Sequence, residues 1–152
     1  MKFFRKKWPI FTLTLTIVLF ADQITKALAR AKLVPEKSLT LIKGILSLDI
    51  VKNAGSAFGL LKGNIFLFQV IALTIIIAVL LYLLVYRPAS MLIRIALGLI
   101  VAGSIGNFID RAFFKQVTDF INLHYWPVFN VADSSVVVGT VLLFVKGLFS
   151  RK

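Results

Sequence analysis

Apolar residues run along this chain in blocks too long for the core of an ordinary soluble domain. The clearest is "IFLFQVIALTIIIAVLLYLLVY", Ile65 to Tyr86, which holds 22 residues without one charge. A bilayer core of about 30 Å takes around 20 mostly apolar residues of helix, so this block predicts a membrane span. Three more windows follow the same logic. Ile95 to Ile109 is uncharged and runs into "GSIGNFID", and Val128 to Val145 is interrupted only by Asp133. The first window, "IFTLTLTIVLF", is short, and with Lys2, Arg5, Lys6 and Lys7 ahead of it the segment has the outline of a signal peptide. No small-x-small cleavage site follows it. Extension through "ADQITKALA" to Ala29 gives a full span, with Asp22 and Lys26 as i,i+4 neighbours. The spans are placed at about 10–29, 65–86, 93–112 and 128–147.

Between the first two spans, "ILSLDIVKN" alternates Leu46, Leu48 and Ile50 against Ser47, Asp49 and Val51, the period-2 pattern of a half-buried strand. Glycines in "KGILS" and "NAGSAFG" suit turns. A small β element over about 38–62 is therefore expected on the outer surface. "YRPASM" is a short turn between the second and third spans, and "QVTDFINL" is a short strand or loop ahead of "HYWP". With no internal repeat and no low-complexity linker, the reading is one integral membrane domain.

Composition and charge sharpen this picture. The chain of 152 residues is 59% hydrophobic and 16% charged, with a formal net charge of +12. Its basic residues flank apolar spans and form no stripe on a soluble domain, so anionic membrane phospholipids are the expected partner, and nucleic acid is not. Four Lys and Arg lie in Met1–Pro9, two in Arg87–Arg94 and three in Lys146–Lys152, whereas the other nine are spread thinly over the opposite side. That density puts both termini in the cytoplasm. All six acids, Asp22, Glu36, Asp49, Asp110, Asp119 and Asp133, then lie towards the outer side.

A carboxylate at membrane depth costs several kcal/mol and persists where it meets a cavity, a partner or a functional site. Asp133 is such a group, although an N-cap for the fourth helix is its plainer reading. The inventory narrows the chemistry. There is no cysteine, one histidine and no HExxH, so no thiol nucleophile and no zinc site is expected. His124 fits better with Tyr125 and Trp126 in an interfacial aromatic belt. No nucleophile-elbow pattern surrounds Ser104, Ser134 or Ser135. Paired carboxylates remain: two close carboxyls share a proton, one acting as base towards water and the other as acid towards a carbonyl. For Asp133's partner the candidates are Asp22, Asp110 and Asp119. Asp22 has Lys26, and Asp110 has Asn107 and Arg111 at helical spacing, so that Asp110 is expected to orient Arg111. Asp119 has no nearby cation and sits between Val117 and Phe120, which favours it.

The blocks "DQITK" (22 to 26), "KNAGSAFG" (52 to 59), "GNFIDR" (106 to 111), "VTDFI" (117 to 121) and "FNVADSS" (129 to 135), in this order over nearly the whole chain, resemble the lipoprotein signal peptidases, or type II signal peptidases. The resemblance implies an all-α membrane protein of four transmembrane helices with a small extracytoplasmic β-cradle. It implies an aspartic endopeptidase of the bacterial cytoplasmic (inner) membrane, without cofactor, active near the outer face. Such an enzyme removes the signal peptide from diacylglyceryl-modified prolipoproteins by cutting before the lipidated cysteine. The family's catalytic pair falls on Asp119 and Asp133. Its supporting residues fall on Asn53, Asn107, Asp110, Arg111 and Asn130, with Asp22 and Lys26 at the outer end of the first span. Inhibition by the cyclic peptide globomycin is expected from the same resemblance, and a complete pair in one chain makes a monomer sufficient. Two positions depart from the family pattern. Lys115 stands where glycine is usual, two residues before the "VxDF" valine, and "GSAF" with Ser56 replaces the usual "GAAF". The rival classes are a small transporter or proton-conducting protein using the outer-leaflet carboxylates, and a non-enzymatic assembly factor. Gathering of the acids at one edge, with the second span unbroken, argues against an ion path through the bilayer.

Overall fold

The computed structural model describes residues 8–55 and 64–149. Lys2, Arg5, Lys6 and Lys7, Ser56, Lys62, Arg151 and Lys152 lie outside the described residues, as does the 56–62 end of the expected β element. The element order is α1 (Trp8–Lys32), β1 (Leu39–Ile42), β2 (Leu46–Asn53), α2 (Ile65–Tyr86), α3 (Met91–Phe114), β3 (Val117–Asn122) and α4 (Val131–Phe149). All four helices are long and apolar enough to cross a membrane. Large apolar side chains such as Phe20, Phe66, Leu84, Phe113 and Phe144 stand exposed around the bundle, a surface that suits lipid rather than water.

α3 is the centre, with α1, α2 and α4 packed around it. Its buried stripe is rich in small residues, Ala96, Gly98, Ala102, Gly103 and Gly106. Between membrane helices, attraction comes from close backbone approach, which small residues permit. At Gly103 a Cβ would collide with the Ala132 carbonyl and the Ser135 Oγ of α4, and at Gly106 with the Asp22 carboxylate of α1. These two glycines let three helices converge where the acids lie. At the opposite end, Phe11, Leu83, Leu97 and Val101 form a purely apolar core. The bundle is thus apolar at the end where α1 begins and polar where α1 ends.

The three strands form an antiparallel sheet in the order β1-β2-β3. β2 and β3 pair Val51 with Asp119, Lys52 with Thr118 and Asn53 with Val117, with a register shift between Leu48 and Val51. Asn53 and Asp119 are therefore diagonal neighbours on one face, within reach of each other's side chains. The alternation in β2 is real, but its buried side is the reverse of a simple reading. Ser47 is fully buried, while Leu46, Leu48 and Ile50 are half-buried and Val51 is exposed. The covered side carries hydrogen bonds, from Ser47 and Asn122 to Asp49, in place of an apolar core.

Candidate active site

Three backbone devices bring the site together. β3 leaves α3 through Lys115, which takes a left-handed conformation (φ 58°) as the C-cap of α3. This conformation costs a side chain roughly 1–2 kcal/mol, which gives a reason for the usual glycine at this position. Phe129 is then tied to β3: its carbonyl accepts from the Phe120 and Ile121 N–H groups at 3.0 and 2.8 Å, and its N–H donates to the Ile121 carbonyl at 3.1 Å. This sets Asn130 against Asp119. Last, Asn130 and Asp133 form a reciprocal helix cap. The Asp133 N–H donates to Asn130 Oδ1 at 2.9 Å, and the Asn130 N–H donates to Asp133 Oδ2 at 3.2 Å. The cap is Asn130, so Asp133, expected as the possible N-cap, occupies the third helical position.

Asp119 is 2% exposed. Its Oδ2 accepts from Asn53 Nδ2 at 2.9 Å and its Oδ1 from Asn130 Nδ2 at 2.6 Å. Asn107 Nδ2 donates to Asp133 Oδ1 at 2.8 Å, and Asn130 Nδ2 also reaches Asn107 Oδ1 at 3.2 Å. Side-chain amides thus connect the two carboxyls in one continuous chain, Asp119 to Asn130 to Asn107 to Asp133. Among the described residues neither carboxyl has a cation at ion-pair distance. Burial, followed by the nearby charge of Asp133, pushes the Asp119 carboxyl up to about 6, against the opposing hydrogen bonds from Asn53 and Asn130 and the more distant charge of Lys26.

Beside this pair lies a second cluster built the opposite way. Asp22, Lys26 and Asp110 are each fully buried. Lys26 Nζ sits 2.9 Å from Asp22 Oδ2, 3.7 Å from Asp110 Oδ2 and 2.8 Å from Asn107 Oδ1. An ammonium only donates, so its contact fixes the Asn107 carbonyl on that side and turns the Asn107 NH2 towards Asp133. Asp22 Oδ1 accepts from the Ala132 N–H at 2.9 Å and so satisfies one of the free N–H groups opening α4. Asp110 does not orient Arg111, as the spacing suggested. Consecutive residues on a helix point apart, and Asp110 turns to Lys26, to Arg30 at 3.5 Å and to the Thr118 N–H at 2.9 Å. Arg111 reaches back to the Asn107 carbonyl at 3.5 Å and lies over the Phe68 ring, 5.0 Å from its centroid, with the charges of Asp133 and Asp119 within electrostatic reach.

Every site candidate read from the sequence, Asp22, Lys26, Asn53, Asn107, Asp110, Arg111, Asp119, Asn130 and Asp133, falls in these two adjoining clusters. Two contributors were missed. Arg30 donates to Thr118 Oγ1 at 2.9 Å and stacks 4.4 Å over Phe114, and Gln23 Nε2 bridges Asp22 Oδ2 and the Gly106 carbonyl at 3.0 and 3.3 Å. The signal for Arg30 was present, since 22, 26 and 30 share one helix face. Gln23 lies three residues before Lys26 and seven before Arg30, at the edge of the same face, so its signal was present too. His124 is exposed with Tyr125 and Trp126, away from both clusters.

Four membrane-length helices, with one carboxyl on β3 and one on α4 joined through amides at the polar end, suit an intramembrane peptidase of the aspartic type. Residues 14–149 match the family model described as signal peptidase (SPase) II, and the chain belongs to that family. It is 44% identical over 137 residues to the lipoprotein signal peptidase of Syntrophomonas wolfei, covering 90% of this chain and 91% of that one. To its counterpart in Clostridium acetobutylicum it is 38% identical over 136 residues, 86% and 88% of the two chains. A bacterial membrane enzyme solved by the in meso method at 2.3 Å superposes with a TM-score of 0.88 at 30% identity, over 93% of this chain and 91% of that one. The protein is therefore a multi-pass membrane peptidase.

Proposed function

We propose that Asp119 and Asp133 are the catalytic pair of an endopeptidase that removes the signal peptide from diacylglyceryl-modified prolipoproteins, cutting before the lipidated cysteine. The observation that carries this reading is the continuous amide chain joining two carboxyls that lack an ion-pair partner among the described residues. With Asp119 raised to about 6 and Asp133 beside it, the pair holds one proton between them up to about pH 6, and a falling share of molecules keeps it above that. The ionised carboxylate takes a proton from water, and the resulting hydroxide adds to the scissile carbonyl carbon. The protonated carboxyl donates to the carbonyl oxygen, giving a tetrahedral diol. Collapse breaks the C–N bond as the cysteine nitrogen receives a proton, and the pair returns to one shared proton. No covalent enzyme intermediate forms.

Asn53, Asn107 and Asn130 hold the carboxyls in place, while Asp22, Lys26 and Asp110 fasten the helices behind them. Arg111, which donates to the Asn107 backbone carbonyl at 3.5 Å, would meet the substrate's backbone or headgroup oxygens. The whole chain acts as a single membrane peptidase domain, and its one pair of acids suffices in a monomer. The lysine and arginine density supports both termini in the cytoplasm and the pair near the outer face of a bacterial cytoplasmic membrane. Substrate enters sideways from the bilayer with its acyl chains against the bundle, a site that globomycin would occupy.

The test is cleavage of a diacylglyceryl prolipoprotein and of the same precursor without lipid, by the purified protein and by Asp119→Asn and Asp133→Asn. Cleavage of the lipidated form alone, lost in both variants, is expected. Near-normal cleavage by either folded variant would remove that residue from the pair, and equal cleavage of both precursors would remove the lipid from recognition.

A further inference from the structure

α2 and α4 both pack on α3 and hardly on each other, which leaves a cleft between them at the end of the bundle away from the acids. Its volume is about 540 Å3, and its walls are Ala78, Val79 and Tyr82 of α2, Ile93 and Leu97 of α3, and Leu143, Lys146 and Gly147 of α4. Nearly all of this lining is apolar. The exception is Lys146, half-buried in the last turn of α4. No carboxylate stands in α2, in α3 before Asp110, or in α4 after Asp133. Lys146 has no ion pair and no hydrogen bond among the described residues. Gly147 leaves the mouth open, since a Cβ there would meet nothing within 4 Å.

Aromatic residues mark the depth. Tyr82 stacks on Tyr86 with ring centroids 5.0 Å apart, and Trp8 begins α1 at the same end. Tyr125 and Trp126 stand exposed at the other. Such aromatics collect at headgroup level, so the Lys146 ammonium lies where lipid phosphates lie, with the apolar cleft leading inward from it.

We infer that this cleft is a binding site for one anionic phospholipid, an acyl chain lying between α2 and α4 and the phosphate held by Lys146. Charge selects this occupant over the signal peptide of a substrate. A signal peptide carries a basic segment ahead of its apolar run, and Lys146 would repel it. The lipid acts at a distance from Asp119 and Asp133, as a wedge that holds α2 and α4 apart on α3.

Native mass spectrometry of the purified full chain, titrated with phosphatidylglycerol or phosphatidylcholine of identical acyl chains, reads this site. One phosphatidylglycerol should be retained about fivefold better than phosphatidylcholine, the preference expected from one lysine at an anionic headgroup. In Lys146→Gln that preference should fall to about one, with phosphatidylglycerol retention falling more than phosphatidylcholine retention. In Gly147→Leu, which fills the mouth, retention of both lipids should fall. Neither residue touches the acidic end, so cleavage activity within twofold of the parent checks the fold of both variants. An absent preference in the parent protein, or one that survives in Lys146→Gln, would overturn the proposal. Displacement of the lipid, one for one, by a lysine-headed signal-peptide segment would give the cleft to the substrate instead.

Discussion

Two carboxylate clusters adjoin at the polar end of this bundle, share Asn107, and are held in opposite ways. Asp22 and Asp110 are paired with Lys26 and Arg30, so their charge is balanced inside the protein. Among the described residues Asp119 and Asp133 receive only neutral donors, three of them asparagine amides and one a backbone N–H. Both arrangements satisfy the oxygens. The first sets cations against its carboxylates, whereas at Asp119 burial and the charge of Asp133 outweigh the opposing amides. The difference separates a fastening from a reactive pair, and Lys26 serves both by pairing with the acids and turning the Asn107 amide towards Asp133.

Substitutions should pull the two clusters apart. The largest effect on activity is expected from Asp119→Asn or Asp133→Asn, a loss of roughly 10^2- to 10^4-fold in cleavage rate, the usual worth of a positioned acid or base. The double variant should lose little more than either single one, measured by single-turnover assay, because the two act as a unit. Lys26→Met should instead strike the fold. It strands Asp22 and leaves Asp110 with Arg30 alone, and breaking one side of a buried ion pair costs about 3–5 kcal/mol, a loss readable as a lowered unfolding midpoint in detergent. Asn107→Ala, at the junction, should lower kcat by roughly 10-fold or more with KM little changed, because it releases Asp133 from its side-chain donor. The smallest effect is expected outside both clusters: Lys115→Gly should relieve the left-handed strain and raise stability by about 1 kcal/mol or less, since added freedom in the unfolded chain offsets part of the gain.

The pH dependence has a definite sign. The folded-state value of Asp119, about 6, lies above the ordinary 3.8, so the folded protein binds more protons than the unfolded chain between the two. Stability should therefore decline as pH rises from about 4 to 6 and level off above, insofar as Asp119 governs it. The unfolding midpoint in detergent across that range checks it, with Asp119→Asn removing the slope.

Much of this arrangement could be read along the chain because each signal was local. Long uncharged runs marked the helices, the 22/26 spacing marked one ion pair, and the apolar bracket of Val117 and Phe120 singled out Asp119. What could not be read depends on contacts across elements. The pairing of Asp110 with α1 in place of Arg111, the capping of α4 by Asp22, and the turning of Asn107 by Lys26 join residues about 80 to 110 positions apart. The inward face of Ser47 escaped for a related reason. Alternation identifies a strand, but which face is covered depends on what the fold lays against it, here a hydrogen-bonded polar layer. Lys115 is a third kind of case, in which a departure from the family pattern became intelligible only once its φ of 58° was known.

The most direct measurement of the central contrast is the titration of the Asp119 carboxyl by carbon-13 NMR, in the parent protein and in Asp133→Asn. The account predicts a midpoint near 6 in the parent and a clear fall in the variant, to a value still above 3.8 because burial, the larger cause, remains. A midpoint at the ordinary carboxylate value in the parent, or one unmoved by Asp133→Asn, would contradict it.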